Sequence, residues 1–416
     1  MKNHNLKRLA ALACAILALA GCAGETPAQP AAPAPLETPM PVYEVVTSAP
    51  TATAVTFTLR PSSTPLPTET SFPATEMSGF GYGPQDFPPG INPLTGLAVS
   101  DPALLERRPM LVKISNFPRS LRPQWGLTRA DHIYEYFLED GLTRFIGIFY
   151  GQDASQVGPI RSARPFDWHV VNMYKSVFAF GFADDRIMDG LLESDIKNLM
   201  VIQKPDNCPP MCRIGSDNDY NNLFTDTHEL SLYVTNRGTS NERQDLSGLR
   251  FEARTYITTG GGFADQVAIR YSNDSYHLWE YDPASQRYLR SQETEAYTAG
   301  EETYQPLFDS LTGERVAADN LVILMVPTSY WFQSNSTVIY SIDLEQQGPA
   351  YALRDGKIFE ITWSRTVLEQ LLTLTFPTEK PYPLKPGNVW FEVLCDTSTH
   401  EVDGKTWKFF FNLNLP

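Results

Sequence analysis

The sequence has few basic residues and few cysteines, and each shortage narrows the class of protein. Lys and Arg number 33 against 48 Asp and Glu, which gives a formal net charge of -15 at pH 7. Binding along a nucleic-acid backbone, or broadly to anionic lipid, needs clustered Lys and Arg, so we expect no nucleic-acid partner. Two of the five cysteines lie within the first 22 residues, and the other three cannot all pair with one another.

The common catalytic and metal-binding motifs are also missing. The sequence contains no HExxH, no P-loop and no GxSxG. Ser194-Asp195-Ile196-Lys197 and Ser216-Asp217-Asn218 fit two signatures of penicillin-recognising serine enzymes. Only 22 positions separate the two serines, too few for the helical subdomain that lies between them in those enzymes. We therefore expect no metal ion and no cofactor. The sequence leans towards a protein without enzymatic activity and leaves the catalytic residues unknown.

What is present suffices for a folded body behind an export signal. Hydrophobic residues make up 42% and aromatic residues 12% of the 416 positions, enough for a sizeable core and for two domains. Lys2, Lys7 and Arg8 precede an apolar run from Leu9 to Ala20 that is too short to span a bilayer. The run ends in Leu19-Ala20-Gly21-Cys22, which resembles the bacterial lipobox. Residues 1–22 are therefore predicted to be a lipoprotein signal peptide.

The lipobox implies a lipid anchor. In proteins with this signal the cysteine, here Cys22, carries acyl chains such as palmitate and becomes the new N-terminus. Several acyl chains on one residue anchor a protein stably, so we expect an exported protein held at the outer face of a bacterial cell membrane. Residues 23–90 are rich in Pro, Thr, Ser and Ala and cannot bury enough apolar surface to fold. They are predicted to form a disordered tether between the membrane and the folded body.

The sequence beyond residue 90 predicts two domains of different type. Residues 91–245 alternate apolar strands with helical patterns, for example a strand at 109–114 and a helix at 166–174, which is typical of an α/β or α+β domain. The composition shifts before residue 262, and we interpret residues 246–262 as a linker. Residues 263–416 consist of strand patterns separated by turns, and they predict a β-rich C-terminal domain.

Three cysteines belong to these domains. Cys208 and Cys212 flank a short proline-containing loop, and no second pair of soft ligands follows that would complete a metal site. A disulfide between these two residues is therefore the favoured interpretation in an exported protein. Residues 220–235 then show a helical pattern. Cys395 falls on the apolar face of a strand and is predicted to be a buried thiol.

Charged residues concentrate between Asp131 and Pro165 and just beyond. The candidates for ligand binding are Glu135, Glu139, Arg144, Arg161, Arg164 and Asp167. A guanidinium group can hold a carboxylate or phosphate with two hydrogen bonds, so the arginines favour an anionic or polyhydroxyl ligand. One alternative is that an arginine only pairs with a glutamate across adjacent strands and fixes the fold. Another makes the carboxylates the general acid and base of a hydrolase or transferase acting on envelope glycan.

Aromatic residues in the second half allow one more interpretation. Seven of them fall at strand positions: Trp279, Tyr281, Tyr288, Tyr330, Trp331, Trp363 and Trp390. Such residues are more often core or cross-strand pairs, which is the interpretation we favour. They would also suit a stacking platform for sugars.

Several runs of the sequence resemble the YerB-like family of bacterial envelope lipoproteins. They are, in order, NPLTGL, RPMLVKISN, RPQWGLTRADHIYE, GLTRFIGIFY and VGPIRSARP, followed in the second half by DSLTGERVAADNLVI and DGKIFEITWSR. The resemblance implies the two-domain organisation for most of the chain from about residue 92. Members of the family are largely uncharacterised biochemically, so no reaction is implied. The expectation is a non-enzymatic binding or scaffolding protein for a cell-wall glycan, another extracellular ligand or an envelope protein.

Overall fold

The structure is a computed structural model that describes residues 81–215, 221–254 and 261–414. The predicted signal peptide, the lipidation site at Cys22 and the tether up to residue 80 lie outside this described part. The same holds for the Ser216-Asp217-Asn218 motif and for residues 255–260 of the predicted linker. Within the described ranges no helix is long and apolar enough to span a bilayer.

Three α-helices and twenty-four strands make up the described fold, together with five short 3-10 helices. The α-helices are α1 (Pro165–Tyr174), α2 (Asp185–Glu193) and α3 (Thr227–Asn236). The 3-10 helices are Pro102–Glu106, Arg119–Leu121, Leu127–Arg129, Glu139–Gly141 and Asp195–Leu199. The strands of the first half are β1 (Met110–Ser115), β2 (His132–Phe137), β3 (Thr143–Phe149), β4 (Val177–Phe180), β5 (Met200–Ile202), β6 (Met211–Arg213), β7 (Leu223–Thr225) and β8 (Arg250–Phe251).

The second half contributes the larger number of strands. They are β9 (Gly262–Phe263), β10 (Gln266–Arg270), β11 (Tyr276–Asp282), β12 (Arg287–Glu293), β13 (Tyr304–Pro306), β14 (Ala317–Ala318), β15 (Asn320–Val326), β16 (Thr328–Gln333), β17 (Val338–Ile342), β18 (Gln347–Arg354), β19 (Lys357–Ser364), β20 (Thr373–Thr375), β21 (Pro383–Leu384), β22 (Val389–Cys395), β23 (Thr399–Asp403) and β24 (Thr406–Phe410). All three α-helices lie before residue 240. The predicted fold class, a mixed first half and a β-rich second half, is therefore confirmed.

Strands from both halves of the sequence form one main sheet. Its order is β20-β19-β18-β15-β22-β2-β3-β1-β4-β5, with β9 paired to β19. The halves meet where β2 pairs in parallel with β22, a register that places Glu135 opposite Glu392. A second sheet, in the order β13-β12-β11-β10-β24-β23 with β14 beside β12, comes entirely from the second half. Backbone hydrogen bonds therefore join the two halves directly.

The two faces of the main sheet carry separate cores. One face packs beneath α1 and α2, where Tyr134 and Ile146 meet Phe166 of α1. The other face packs against the second sheet and α3, where Ile133 and Phe145 belong to the same cluster as Trp279. Successive residues of a strand point to opposite faces, so β2 supplies side chains to both cores in turn. Any charged residue in these strands is therefore committed to one core or the other.

The backbone that leads into α1 requires the glycine and the final proline of the VGPIRSARP motif. Gly158 has a φ of +152°, and a Cβ there would come within 2.8 Å of the Phe224 ring and 2.9 Å of the Leu223 carbonyl oxygen. Only glycine fits so close an approach without displacing β7. Pro165 occupies the first turn of α1, where its missing N–H costs no helical hydrogen bond.

The helix expected over residues 220–235 differs from the structure. Leu223–Thr225 instead form β7, which pairs with β6, and the helix begins only at Thr227. The Asp226 carboxylate fixes this start because it accepts the backbone N–H groups of His228 and Glu229. A disulfide joins Cys208 to Cys212, which lies within β6, and Cys395 on β22 is buried.

Candidate ligand site

The main sheet separates the charged residues that the sequence places in one stretch. In β1, β2 and β3 the residues Ser115, Tyr136 and Arg144 are register partners and share the face beneath α1. Glu135 precedes Tyr136 by one position, so it lies on the opposite face, between the two sheets. The predicted site residues therefore fall into two clusters, one on each face.

The first cluster, here named the helix-face cluster, consists of Lys113, Tyr136, Arg144, Arg164 and Asp167. Lys113 is fully buried and donates from Nζ to Asp167 Oδ1 at 2.8 Å and to the Tyr136 hydroxyl. Tyr136 donates its own proton to Asp167 Oδ1 at 2.7 Å, while Asp167 Oδ2 accepts the backbone N–H of Arg164 at 2.8 Å. Asp167 thus neutralises Lys113 and also caps the first turn of α1.

Burial dominates the electrostatics of this cluster. It lowers the pKa of Lys113 from 10.5 to about 7, with Asp167 opposing the shift and Arg144 adding to it. Burial also raises the pKa of the Tyr136 hydroxyl well above its ordinary value, and the negative charge of Asp167 raises it further. Lys113 can therefore release its proton near neutral pH while Tyr136 stays protonated.

The arginines of this face differ in their partners. Arg164 forms a two-pronged ion pair with Glu139, with Nε at 2.9 Å from Oε2. Arg144 is half-buried and donates to the Ser162 carbonyl oxygen at 2.8 Å, and within the described ranges no carboxylate lies in ion-pair distance of it. Arg161 donates to Ser115 Oγ at 3.2 Å and to Asn221. Arg164 is therefore neutralised by a carboxylate, whereas the hydrogen-bond partner of Arg144 is a neutral oxygen.

The second cluster lies between the sheets and is named the inter-sheet cluster. Its centre is Arg290 of β12, which is fully buried and donates to Glu135 Oε2 at 2.7 Å and to Glu392 Oε1 at 3.3 Å. Asn116 and Thr143 complete the coordination of Glu135 at 3.2 and 2.7 Å. This carboxylate is therefore sealed by the second half of the chain and has almost no contact with solvent.

Two further pairs of ionisable residues belong to the inter-sheet cluster, Glu392 with His277 and Arg122 with Glu293. Glu392 also accepts the Trp279 indole N–H at 3.0 Å and lies 2.8 Å from His277 Nε2. Burial lowers the pKa of His277 well below its ordinary value and raises that of Glu392. At the edge of the cluster Arg122 and Glu293 form a buried ion pair at 2.7 Å. Arg122 with Glu293, and Arg290 with Glu135, thus link the two halves of the sequence by charge.

Three members of the inter-sheet cluster could in principle hold a metal ion. One ligand atom each from Glu135, His277 and Glu392 lies within 4.8 Å of the others. The Arg290 guanidinium, however, already bonds to both carboxylates, and a second cation in that space would be repelled by it. The arrangement fits an internal ion network better than a metal site.

Sequence reasoning found only part of these clusters. Lys113 interrupts the apolar run of β1, and a charge inside such a strand was the available signal for a buried ion pair. Arg290, His277 and Glu392 gave no signal of proximity, because they lie more than 100 positions from their partners in β2. Trp279, Trp363 and Trp390 are fully buried, which agrees with the favoured interpretation as core residues and leaves no sugar platform on these three.

Comparison with known proteins adds the family. Residues 94–240 match the model of the N-terminal domain of the family described as "Protein of unknown function (DUF3048)". Residues 267–391 match the model of the C-terminal domain of the same family. The chain is 27% identical over 322 residues to "Putative lipoprotein YerB" of Bacillus subtilis (strain 168), covering 73% of this chain and 86% of that protein. The crystal structure of the YerB protein from Bacillus subtilis aligns with a TM-score of 0.59 at 26% identity, covering 73% of this chain and 96% of that chain. These matches confirm the predicted resemblance to the YerB-like family and the two-domain organisation. The relative from Bacillus subtilis carries the name of a lipoprotein. The chain belongs to the two-domain DUF3048 family.

Proposed function

We propose that this protein is a lipid-anchored envelope protein whose folded body binds an anionic cell-wall glycan through Arg144 and Arg161, whereas Arg164 is held by Glu139. Acyl chains on Cys22 would hold it at the outer face of the cell membrane, and residues 23–90 would serve as the tether. The lipobox and the name of the Bacillus subtilis relative support the anchoring part. The helix-face cluster supports the binding part.

The observation that carries the binding proposal is the state of Arg144. A buried or half-buried guanidinium group normally pairs with a carboxylate, since desolvating an unpaired charge is costly. Arg144 has the Ser162 carbonyl oxygen as a neutral partner, and the carboxylate whose charge influences it, Asp167, already pairs with Lys113. An anion that approached Arg144 would offset the cost of burying its charge, and Arg161 stands close by, at the C-terminal end of β1. A phosphate or carboxylate group on a glycan has the matching geometry.

The alternative of a glycan hydrolase or transferase has less support. A glycosidase needs two carboxyl groups that reach the scissile bond from an open cleft. Glu135 is sealed by Arg290, and Glu139 is held by Arg164. Neither carboxylate is therefore free to approach a substrate, and we favour binding over catalysis.

Binding to wall polymer tests the arginine proposal. The full chain is mixed with purified bacterial cell-wall glycan carrying its anionic polymer, and the bound fraction is measured by co-sedimentation. We expect Arg144→Gln combined with Arg161→Gln to weaken binding at least tenfold, and rising salt to weaken wild-type binding, because the contact is electrostatic and a charged polymer approaches from solvent. Arg243→Gln, an exposed arginine paired with Glu106, is the matched control and should bind as wild type. Equal binding by the double variant, at an unchanged melting temperature, would refute the proposal.

The lipid anchor makes a separate prediction. Changing Cys22 to serine removes the thiol that would carry the acyl chains. The variant should then move from the membrane pellet to the soluble fraction of expressing bacteria, as followed by immunoblot after ultracentrifugation. Cys395→Ser, at a buried thiol, should leave the protein in the pellet and controls for the loss of any cysteine. A Cys22→Ser protein that still sediments with membranes contradicts lipid anchoring at this residue.

A further inference from the structure

A groove beside α1 has no part in the proposed anion site. It has a volume of about 570 Å³, within the range of small-molecule sites. Its walls come from α1, α2, the Asp195–Leu199 turn and the β16–β17 hairpin. The lining residues that matter for a ligand are Trp168, His169, Ile187, Leu191, Asp195 and Trp331. Elements that are distant in sequence therefore converge on one concave surface.

Two indole rings give the groove its aromatic character. Trp168 is half-buried on α1, and its indole N–H donates to Asp195 Oδ1 at 3.1 Å, which fixes the ring. Trp331 lies on β16 at the rim and is 43% exposed. An exposed tryptophan in the same lining as an ordered one provides the stacking surface that the flat face of a sugar ring needs. Between them Ile187 and Leu191 form an apolar floor.

The polar groups of the groove disfavour an anionic ligand. Among the described residues that line it there is no lysine or arginine, while Asp195 contributes a carboxylate. His169 is neutral at pH 7, because burial lowers its pKa to about 4. An anion would therefore meet a carboxylate without a cation to bind it. Hydroxyl groups, in contrast, can donate to Asp195 and exchange hydrogen bonds with a neutral imidazole or a serine hydroxyl.

From these features we infer that the groove between α1, α2 and the β16–β17 hairpin binds a neutral N-acetylated saccharide. The sugar ring stacks on Trp331 and Trp168, its hydroxyls donate to Asp195, and the acetamido methyl group rests on Ile187 and Leu191. The lining of this groove includes neither Arg144 nor Arg161, and the ligand proposed for it is uncharged. The saccharide proposal can therefore be tested separately from the anion-binding proposal, and either can be wrong without the other.

Gly190 offers a clean way to block the groove. It lies on α2, and a Cβ built there meets no atom within 4 Å, so a larger side chain projects into open space. Gly190→Phe should fill the groove without straining the helix, and Gly190→Ala should leave it open. Trp331→Ala removes the rim ring, while Tyr330→Ala removes its neighbour, which stacks on Tyr340 and does not line the groove. Both tyrosine and tryptophan are exposed, so neither change disturbs the core.

The experiment is isothermal titration of the full chain with the tetrasaccharide of N-acetylglucosamine. We expect saturable binding that Gly190→Phe and Trp331→Ala each weaken at least tenfold and that Gly190→Ala and Tyr330→Ala leave unchanged. The tetrasaccharide of glucose, which lacks the acetamido group, should bind at least fivefold more weakly. No saturable binding by wild type, or equal binding by Gly190→Phe, would overturn the site. Equal affinity for the two sugars would show that the groove does not recognise the acetamido group. An apolar peptide is titrated as a third ligand, and binding of that peptide without binding of either sugar would show that the ligand is not a saccharide.

Discussion

Replacing Arg290 by methionine is expected to lower the free energy of unfolding by about 3–5 kcal/mol. Arg290 is fully buried and bonds to both Glu135 and Glu392, and its guanidinium carbon lies 4.6 Å from the Trp390 ring centre. Methionine fills similar volume but leaves two carboxylates in a dry space without their cation. The loss therefore comes chiefly from the uncompensated charges and much less from lost packing.

Urea unfolding measures this effect through the midpoint and the slope of the transition. Arg287→Met is the matched control, because Arg287 lies on the same strand, is 36% exposed and pairs with Asp319 at 3.4 Å. It should cost less than about 1 kcal/mol, as exposed ion pairs do. Adding Glu135→Gln to Arg290→Met should recover part of the stability, since it removes one of the stranded charges. A loss below about 1 kcal/mol for Arg290→Met would show that the inter-sheet cluster does not hold the halves together.

Stability should also rise by about 2 kcal/mol between pH 7 and pH 9 because of Lys113. Burial lowers the pKa of Lys113 to about 7 in the folded state, whereas the unfolded chain keeps the ordinary value of 10.5. Between these values the unfolded state binds the extra proton. Raising the pH across this window therefore favours the folded state, and the cost of burying the charged amine is felt fully only below about pH 7.

The matching variant combines Lys113→Met with Asp167→Asn, which removes both charges and keeps an acceptor oxygen for the Arg164 backbone N–H. The pH-dependent rise should disappear in this variant, as measured by urea unfolding at pH 7, 8 and 9. Lys405→Met is the control, since Lys405 is 58% exposed and its replacement should leave the rise intact. If the double variant keeps the wild-type rise, another group carries it and Lys113 is not the buried titrating amine.

Several features of this protein could be predicted from local sequence. The lipobox, the Pro- and Thr-rich segment, β1, β3, α1 and α2 each depend on composition, apolar periodicity or capping, which neighbouring residues determine. The start of α3 could not be predicted from local sequence, because Leu223–Thr225 has an apolar pattern compatible with either a strand or a helix. Pairing with β6 decided in favour of the strand. Local preference there was weaker than a tertiary contact.

The charged stretch from Asp131 to Pro165 shows the limit of the sequence most clearly. Sequence spacing alone placed Glu135 and Arg144 in one site, and strand alternation puts them on opposite faces of the sheet. Glu135 pairs with Arg290, 155 positions away, and the parallel pairing of β2 with β22 joins the two halves of the sequence. Residue types and local patterns thus predicted most of the elements, and they predict the export signal. The tertiary structure decided which charges neutralise each other, because burial and pairing depend on contacts that no local pattern encodes.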